Sequence, residues 1–172
     1  GVWQEVPIQE SWDVTGLAPV STRWLENNKG DKVNPDVRCR FVAREMKSRQ
    51  LLEGVFSATP PMVALLMLLS LAMALNIPGA PAGVTLNLMF LDISRAFFHA
   101  PATRDIYVCL PPERYREGWC AKLLKSLYGT RDAGANFQRF VIEVLELLDF
   151  TVGVFSPCVA RHKHRFIILV YH

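Results

Sequence analysis

The sequence lacks several features that would place it quickly. Its four cysteines, Cys39, Cys109, Cys120 and Cys158, include no CxxC pair. A disulfide framework is therefore not expected, and the thiols read as reduced, in an intracellular protein. Charge of one sign is also scarce: the formal net charge is +3 over 172 residues, so no single-sign field covers the surface. No apolar run reaches the ~20 residues that a membrane helix needs. The longest, MVALLMLLSLAMALNI at residues 62–77, carries Ser70 and Asn76 and reads as a buried helix. The opening stretch, GVWQEVPIQESWD, is polar and mixed, unlike a signal peptide. Neither internal repeats nor low-complexity tracts occur.

Apolar residues make up 51% of the chain, which excludes disorder and allows a sizeable core. Residues 1–22 hold scattered Pro, Gly and Ser and read as loop, with room for one short strand. TRWLENN and RCRFVAR flank the turn-rich NNKGDKVNPD and should form a hairpin. The prolines of SATPPM precede the apolar helix at about 62–76. VTLNLMFLDI reads as a central strand, IYVCLPP as another stopped by its prolines, and WCAKLLKSLYG as strand-like up to a turn at Gly129. Apolar residues at Phe137, Phe140, Val141, Val144, Leu145 and Leu148 follow a period near 3.6, so 133–148 should be an amphipathic helix. PCVARH and RFIILVY close as a hairpin. The order ββ, α, β, β, β, α, β, β implies an α+β fold, a mostly antiparallel sheet with helices packed on one face. The chain stops inside RFIILVYH, an unfinished core strand, and is expected to be a fragment.

Candidate chemistry gathers in a few places. Asp92 interrupts the apolar run MFLDI. Burying even a neutral polar group there costs roughly 2–7 kcal/mol and a charge costs more. The acid then either serves as a metal ligand held by its strand or forms a salt bridge, for example to Arg95. Arg38, Arg40 and Arg44, with Lys47 and Arg49 nearby, place guanidiniums on one face of a strand. Such a row suits phosphate oxygens or a charged, solvated edge. In KSLYGTRDAGANF, Lys125, Gly129 and Arg131 mark a strand-to-helix turn that could hold an anion, or one that Asp132 simply caps. Cys158, His162 and His164 match no zinc spacing and read as solvated turn residues.

Taken together and in order, these segments resemble the reverse transcriptase of copia-type retrotransposons. RCRFVARE is similar to that family's KARLVARG, VFSATPPM to its TFSPV, and LDISRAFFHA to its LDVKNAFLHG. DIYVCLPP resembles EEVYMKQP, LLKSLYGTRDAGANF resembles KLLKSLYGLKQAPRAW, and ILVYH looks like the start of LLVYVDD. The likeness runs over about residues 22–172, after a flanking segment 1–21. It implies fingers at about 22–84 and an incomplete palm at about 85–172.

The resemblance implies that Asp92 is the first catalytic aspartate. Asp92 and the Ile93 carbonyl would be ligands for two Mg2+ ions, shared with acids beyond ILVYH. Phe97 would lie under the sugar and exclude a ribose 2′-hydroxyl. Ser94, Arg95 and Ala96 would form the turn passing the triphosphate, and Arg40 and Arg44 would clamp phosphates. Tyr128, Gly129 and Arg131 would contact the incoming base and template. The implied partners are an RNA or DNA template, a DNA primer, deoxynucleoside triphosphates, and the integrase and ribonuclease H of the same polyprotein. No membrane is implied, and the expected place is a cytoplasmic particle or the nucleus. The chain departs from the family pattern at Glu45 (Gly), Ala58 (Pro), Asp132 (Gln) and Gly134 (Pro). The Asp132 departure puts negative charge where a template or nucleotide contact is expected. A non-catalytic nucleic-acid-binding remnant is the alternative, and the stretch by itself is expected to be inactive.

Overall fold

The computed structural model describes residues 1–46, 54–74 and 87–171. The chain divides into two compact units, Gly1–Phe56 with Arg95–Phe137, and Ser57–Ser94 with Gln138–His172.

In the first unit, β1 (Trp3–Pro7) is followed by α1 (Ile8–Thr15). The expectation of a loop over residues 1–22 is corrected here. Pro7 directly precedes the helix and Gly16 ends it at φ 68, its N–H donating to the Trp12 carbonyl. These residues punctuate a helix rather than dissolve one. β1 pairs antiparallel with β5 (Trp119–Leu123), Val6 opposite Cys120, and β4 (Tyr107–Val108) pairs with the other edge of β5. β5, flanked on both sides, anchors the core of Ala43, Ile106, Val108, Leu110, Ala121, Leu123 and Leu127. The expected hairpin is present as β2 (Thr22–Asn28) and β3 (Val37–Ala43), in register from Thr22 opposite Ala43 to Asn28 opposite Val37. Its loop is tied by Asn28 Oδ1, which accepts from the Gly30 and Asp36 amides at 3.0 and 2.9 Å.

In the second unit, α2 (Met62–Met73) has no buried residue, which corrects the expectation of a buried helix. Its apolar surface is nearly continuous; it meets β8 (Ile168–Val170), and the covered residues are only partly buried. The unit's sheet has the order β6 (Phe150–Val152), β7 (Val159–His162), β8 (Ile168–Val170), all antiparallel. Its strands have three or four residues each, so it offers little area. The predicted amphipathic helix is α3 (Ala133–Leu147), which belongs to the first unit up to Phe137 and to the second from Gln138.

The expected central strand differs most. Its first residues, 84–86, lie outside the described set, and 87–93 form no strand. Met89, Phe90 and Leu91 are 78%, 81% and 78% exposed. An all-apolar strand is stable only with ladder partners and cover on both faces, and among the described residues nothing pairs with this one. The secondary structure is thus mixed helix and antiparallel strand, as expected. The described strands form three small sheets rather than one.

Candidate nucleic-acid interface

The β2–β3 hairpin sorts its residues by parity. Arg40 faces Leu25 across the ladder, Arg38 faces Asn27, and Arg23 faces Val42. Directly opposed residues share a face, so Arg23 joins Arg38 and Arg40 on one side, all exposed. Arg38 also meets Asp36 at 3.5 Å in a solvent-exposed pair, which is worth little. Arg23 was not singled out from the sequence, because the match depends on cross-strand register. Lys47 and Arg49 lie outside the described residues.

The end of β3 is fastened to the turn before α3. The Ala43 amide donates to the Tyr128 carbonyl at 2.7 Å and the Glu45 amide to the Gly129 carbonyl at 3.4 Å. Gly129 sits at φ 86, and a Cβ there would lie 2.0 Å from the Ala43 carbonyl oxygen. Only glycine permits both the backbone angle and the close approach. Exposed Arg44 and half-buried Arg131 both belong to this junction.

A charge network closes the junction. Arg104 Nη2 donates to Glu45 Oε2 at 2.7 Å and to Oε1 at 2.8 Å. The same guanidinium reaches Asp132, with Nε to Oδ2 at 3.0 Å and Nη2 to Oδ1 at 3.1 Å. Glu45 Oε2 also accepts the Arg131 amide at 2.7 Å. Asn136 Nδ2 donates to Asp132 Oδ2 at 3.2 Å and to Ser126 Oγ at 3.1 Å. Burial pushes the Asp132 carboxyl up, but the hydrogen bonds and charge of Arg104 outweigh it and hold the group below its usual range. Burial likewise works against the Arg104 charge, and the two acids more than restore it. Asp132 directly precedes α3, at the capping position expected for it, and its carboxylate serves Arg104 and Asn136. Both acidic departures from the family pattern therefore meet one cation.

An aromatic group lies beside the junction. Phe97, in a short 3-10 turn at Ala96–Phe98, packs on Tyr128 at 4.6 Å and on Phe137 at 6.0 Å between ring centroids. Phe98 meets the same Tyr128 edge-on at 5.6 Å. Arg95, just before the turn, adopts φ 55, a left-handed conformation uncommon for a non-glycine residue.

The structure thus gathers Arg44, Phe97, Tyr128, Gly129 and Arg131 in the first unit, with Arg40 further out on β3. Arg95 and Ala96 lead into the Phe97 turn. Asp92, Ile93 and Ser94 fall in the second unit, all exposed. Asp92 therefore sits on exposed coil, which corrects the expectation of a desolvated strand acid. Among the described residues no ion pair engages it, and no three His, Cys, Asp or Glu side chains gather as a metal site. Mg2+ demands a near-octahedral set of oxygen ligands, so the described residues do not by themselves fit the ion. In the second unit, Cys158 is buried and its thiol contacts the Ala58 carbonyl at 3.2 Å. This differs from the solvated turn expected for it. His162 Nδ1 accepts the amides of His164 and Arg165 at 3.0 and 3.1 Å, so its ring braces the turn.

The family described as reverse transcriptase (RNA-dependent DNA polymerase) matches residues 10–171, and the chain belongs to it. A relative named Transposon Ty1-BL Gag-Pol polyprotein, from Saccharomyces cerevisiae, is 30% identical over 141 residues. Within the family the chain is of the copia-type retrotransposon kind. The aligned part is 81% of this chain and 7% of that polyprotein. No solved structure matches. Among the described residues no helix is long and apolar enough to cross a membrane.

Proposed function

We propose that the chain is part of a retrotransposon polymerase that extends a DNA primer on an RNA or DNA template. The primer 3′-oxygen attacks the α-phosphorus of a deoxynucleoside triphosphate and pyrophosphate leaves. Catalysis of this reaction is mostly positioning and charge neutralisation. Arg40 and Arg44 neutralise phosphate oxygens, Tyr128, Gly129 and Arg131 seat the base and template, and Phe97 limits space at the sugar. Ser94, Arg95 and Ala96 shape the path of the triphosphate. Asp92, with the Ile93 carbonyl, would supply part of the oxygen set for the divalent cations of this family. The remaining carboxylates and the integrase and ribonuclease H partners come from the rest of the polyprotein, inside the cell.

One observation carries this reading. The end of the arginine strand is locked by backbone hydrogen bonds onto the turn that holds Tyr128 and Gly129, so cations and aromatic surface share a rigid frame. Residues 1–172 alone, with a single acid at the Asp92 position, should bind primer–template and not extend it. A primer-extension assay with Mg2+ tests this, and incorporation by these residues alone would refute the inactivity.

Asp92, exposed and joined by no other acid in a metal cluster among the described residues, favours a second reading, a remnant that binds nucleic acid without catalysis. Joining the chain to a segment that supplies the family's paired aspartates separates the two. Extension then supports the polymerase, and salt-sensitive binding with no extension supports the remnant.

A further inference from the structure

We infer that Arg104 is a positioning residue that screens two acids from the phosphate-binding junction, and so sets its affinity for nucleic acid. The inference rests on the proposed phosphate-binding reading. Glu45 follows Arg44 directly, and its carboxylate lies against the Arg131 amide. Asp132 follows Arg131. Each acid is thus next in sequence to an arginine proposed to meet nucleic acid, Arg44 for phosphates and Arg131 for base and template, and each would repel a phosphate. Arg104 binds both at 2.7–3.1 Å, with its own side chain and both carboxylates mostly buried. A planar guanidinium can fork to two carboxylates, which an ammonium does less well.

With Arg104 present, the local sum over Arg44, Glu45, Arg104, Arg131 and Asp132 is positive by one charge. Without Arg104 it is zero, and two carboxylates are left to turn toward solvent and any phosphate there. With the acids neutralised and Arg104 kept, it rises to three. With water-like screening, one unit charge about 4 Å from a phosphate changes affinity by roughly fivefold.

The test is fluorescence anisotropy of a labelled DNA primer annealed to an RNA template, titrated with the full chain at several salt concentrations. Folding of each variant is checked by circular dichroism. Glu45→Gln with Asp132→Asn should bind about tenfold or more tighter than the parent at low salt, and the gain should shrink as salt rises. Arg104→Gln should bind roughly fivefold more weakly, and adding both neutral substitutions to it should restore parental affinity or better. A purely structural clamp would do the opposite, because loosening it from the acid side would weaken binding. If Arg104→Gln fails to fold, the Glu45→Gln, Asp132→Asn variant still decides the matter. A folded double variant that binds no tighter than the parent overturns the inference alone. Absence of any salt-sensitive binding by the parent overturns the phosphate-binding reading and this inference with it.

Discussion

The two units differ in how they treat their apolar and charged residues. In the first, β5 lies between two strands, Val108, Cys120 and Leu127 are fully buried, and the mostly buried acids at 45 and 132 share a cation. In the second, α2 has no buried residue and the run Met89–Leu91 stands in solvent. Both contain strongly apolar sequence. Burial follows from partners: a strand paired on both edges forms a layer that helices and loops can cover, whereas strands of three or four residues cover little of a helix apolar all round. The residues proposed to handle phosphates, base and sugar are thus held by a formed core. The proposed catalytic acid stands in the region with least cover. Preorganisation, which sites of this kind require, is present for one set and not for the other.

The sharpest way to break this contrast is Gly129→Ala. The new Cβ would meet the Ala43 carbonyl oxygen at 2.0 Å at a φ of 86, so a loss of about 3 kcal/mol or more is expected. Urea unfolding read by hydrogen exchange at the β5 amides would report it. Arg104→Met comes next. It leaves two mostly buried carboxylates without their cation, at a cost on the order of 2–4 kcal/mol, with the β5 amides again reporting first.

A smaller effect depends on pH. The folded-state pKa of Asp132 lies below its ordinary value of 3.8. The stabilisation linked to it is therefore complete above that value and is lost as pH falls through the folded one. The parent should lose more stability between about pH 7 and about pH 3 than Asp132→Asn does, as compared by urea midpoints. The smallest effect belongs to Asp92→Asn. The side chain is exposed and outside any described ion pair, so its stability should stay within about 0.5 kcal/mol of the parent. An effect comparable to that of Arg104→Met would erase the contrast between the units.

Local pattern carried much of the fold. NNKGDKVNPD announced a hairpin because Asn, Gly, Asp and Pro each favour turn geometry, and β2 and β3 formed on either side of it. The 3.6 period at Phe137–Leu148 became α3, and the closing hairpin appeared as β7 and β8. Pro7 and Gly16 misled, because the same residues mark loops and helix boundaries. The run around Asp92 misled for another reason: apolar composition reports a demand for burial, not whether a partner meets it. The charge network was illegible. Arg104 is 59 residues from Glu45 and 28 from Asp132, and nothing in ATRD announces a cation shared by two acids. The family likeness had marked Glu45 and Asp132 as departures, and only the fold connected them. Arg23 was hidden in the same way, by a register that must be counted across two strands.

The central claim is that the arginine face of the hairpin meets phosphates. The most direct measurement is the salt dependence of primer–template affinity for the parent and for Arg40→Gln with Arg44→Gln. The slope of log affinity against log salt should become shallower by about 1.4–1.8 in the double variant, because each phosphate contact contributes about 0.7–0.9. An unchanged slope and affinity in a folded double variant would contradict the claim.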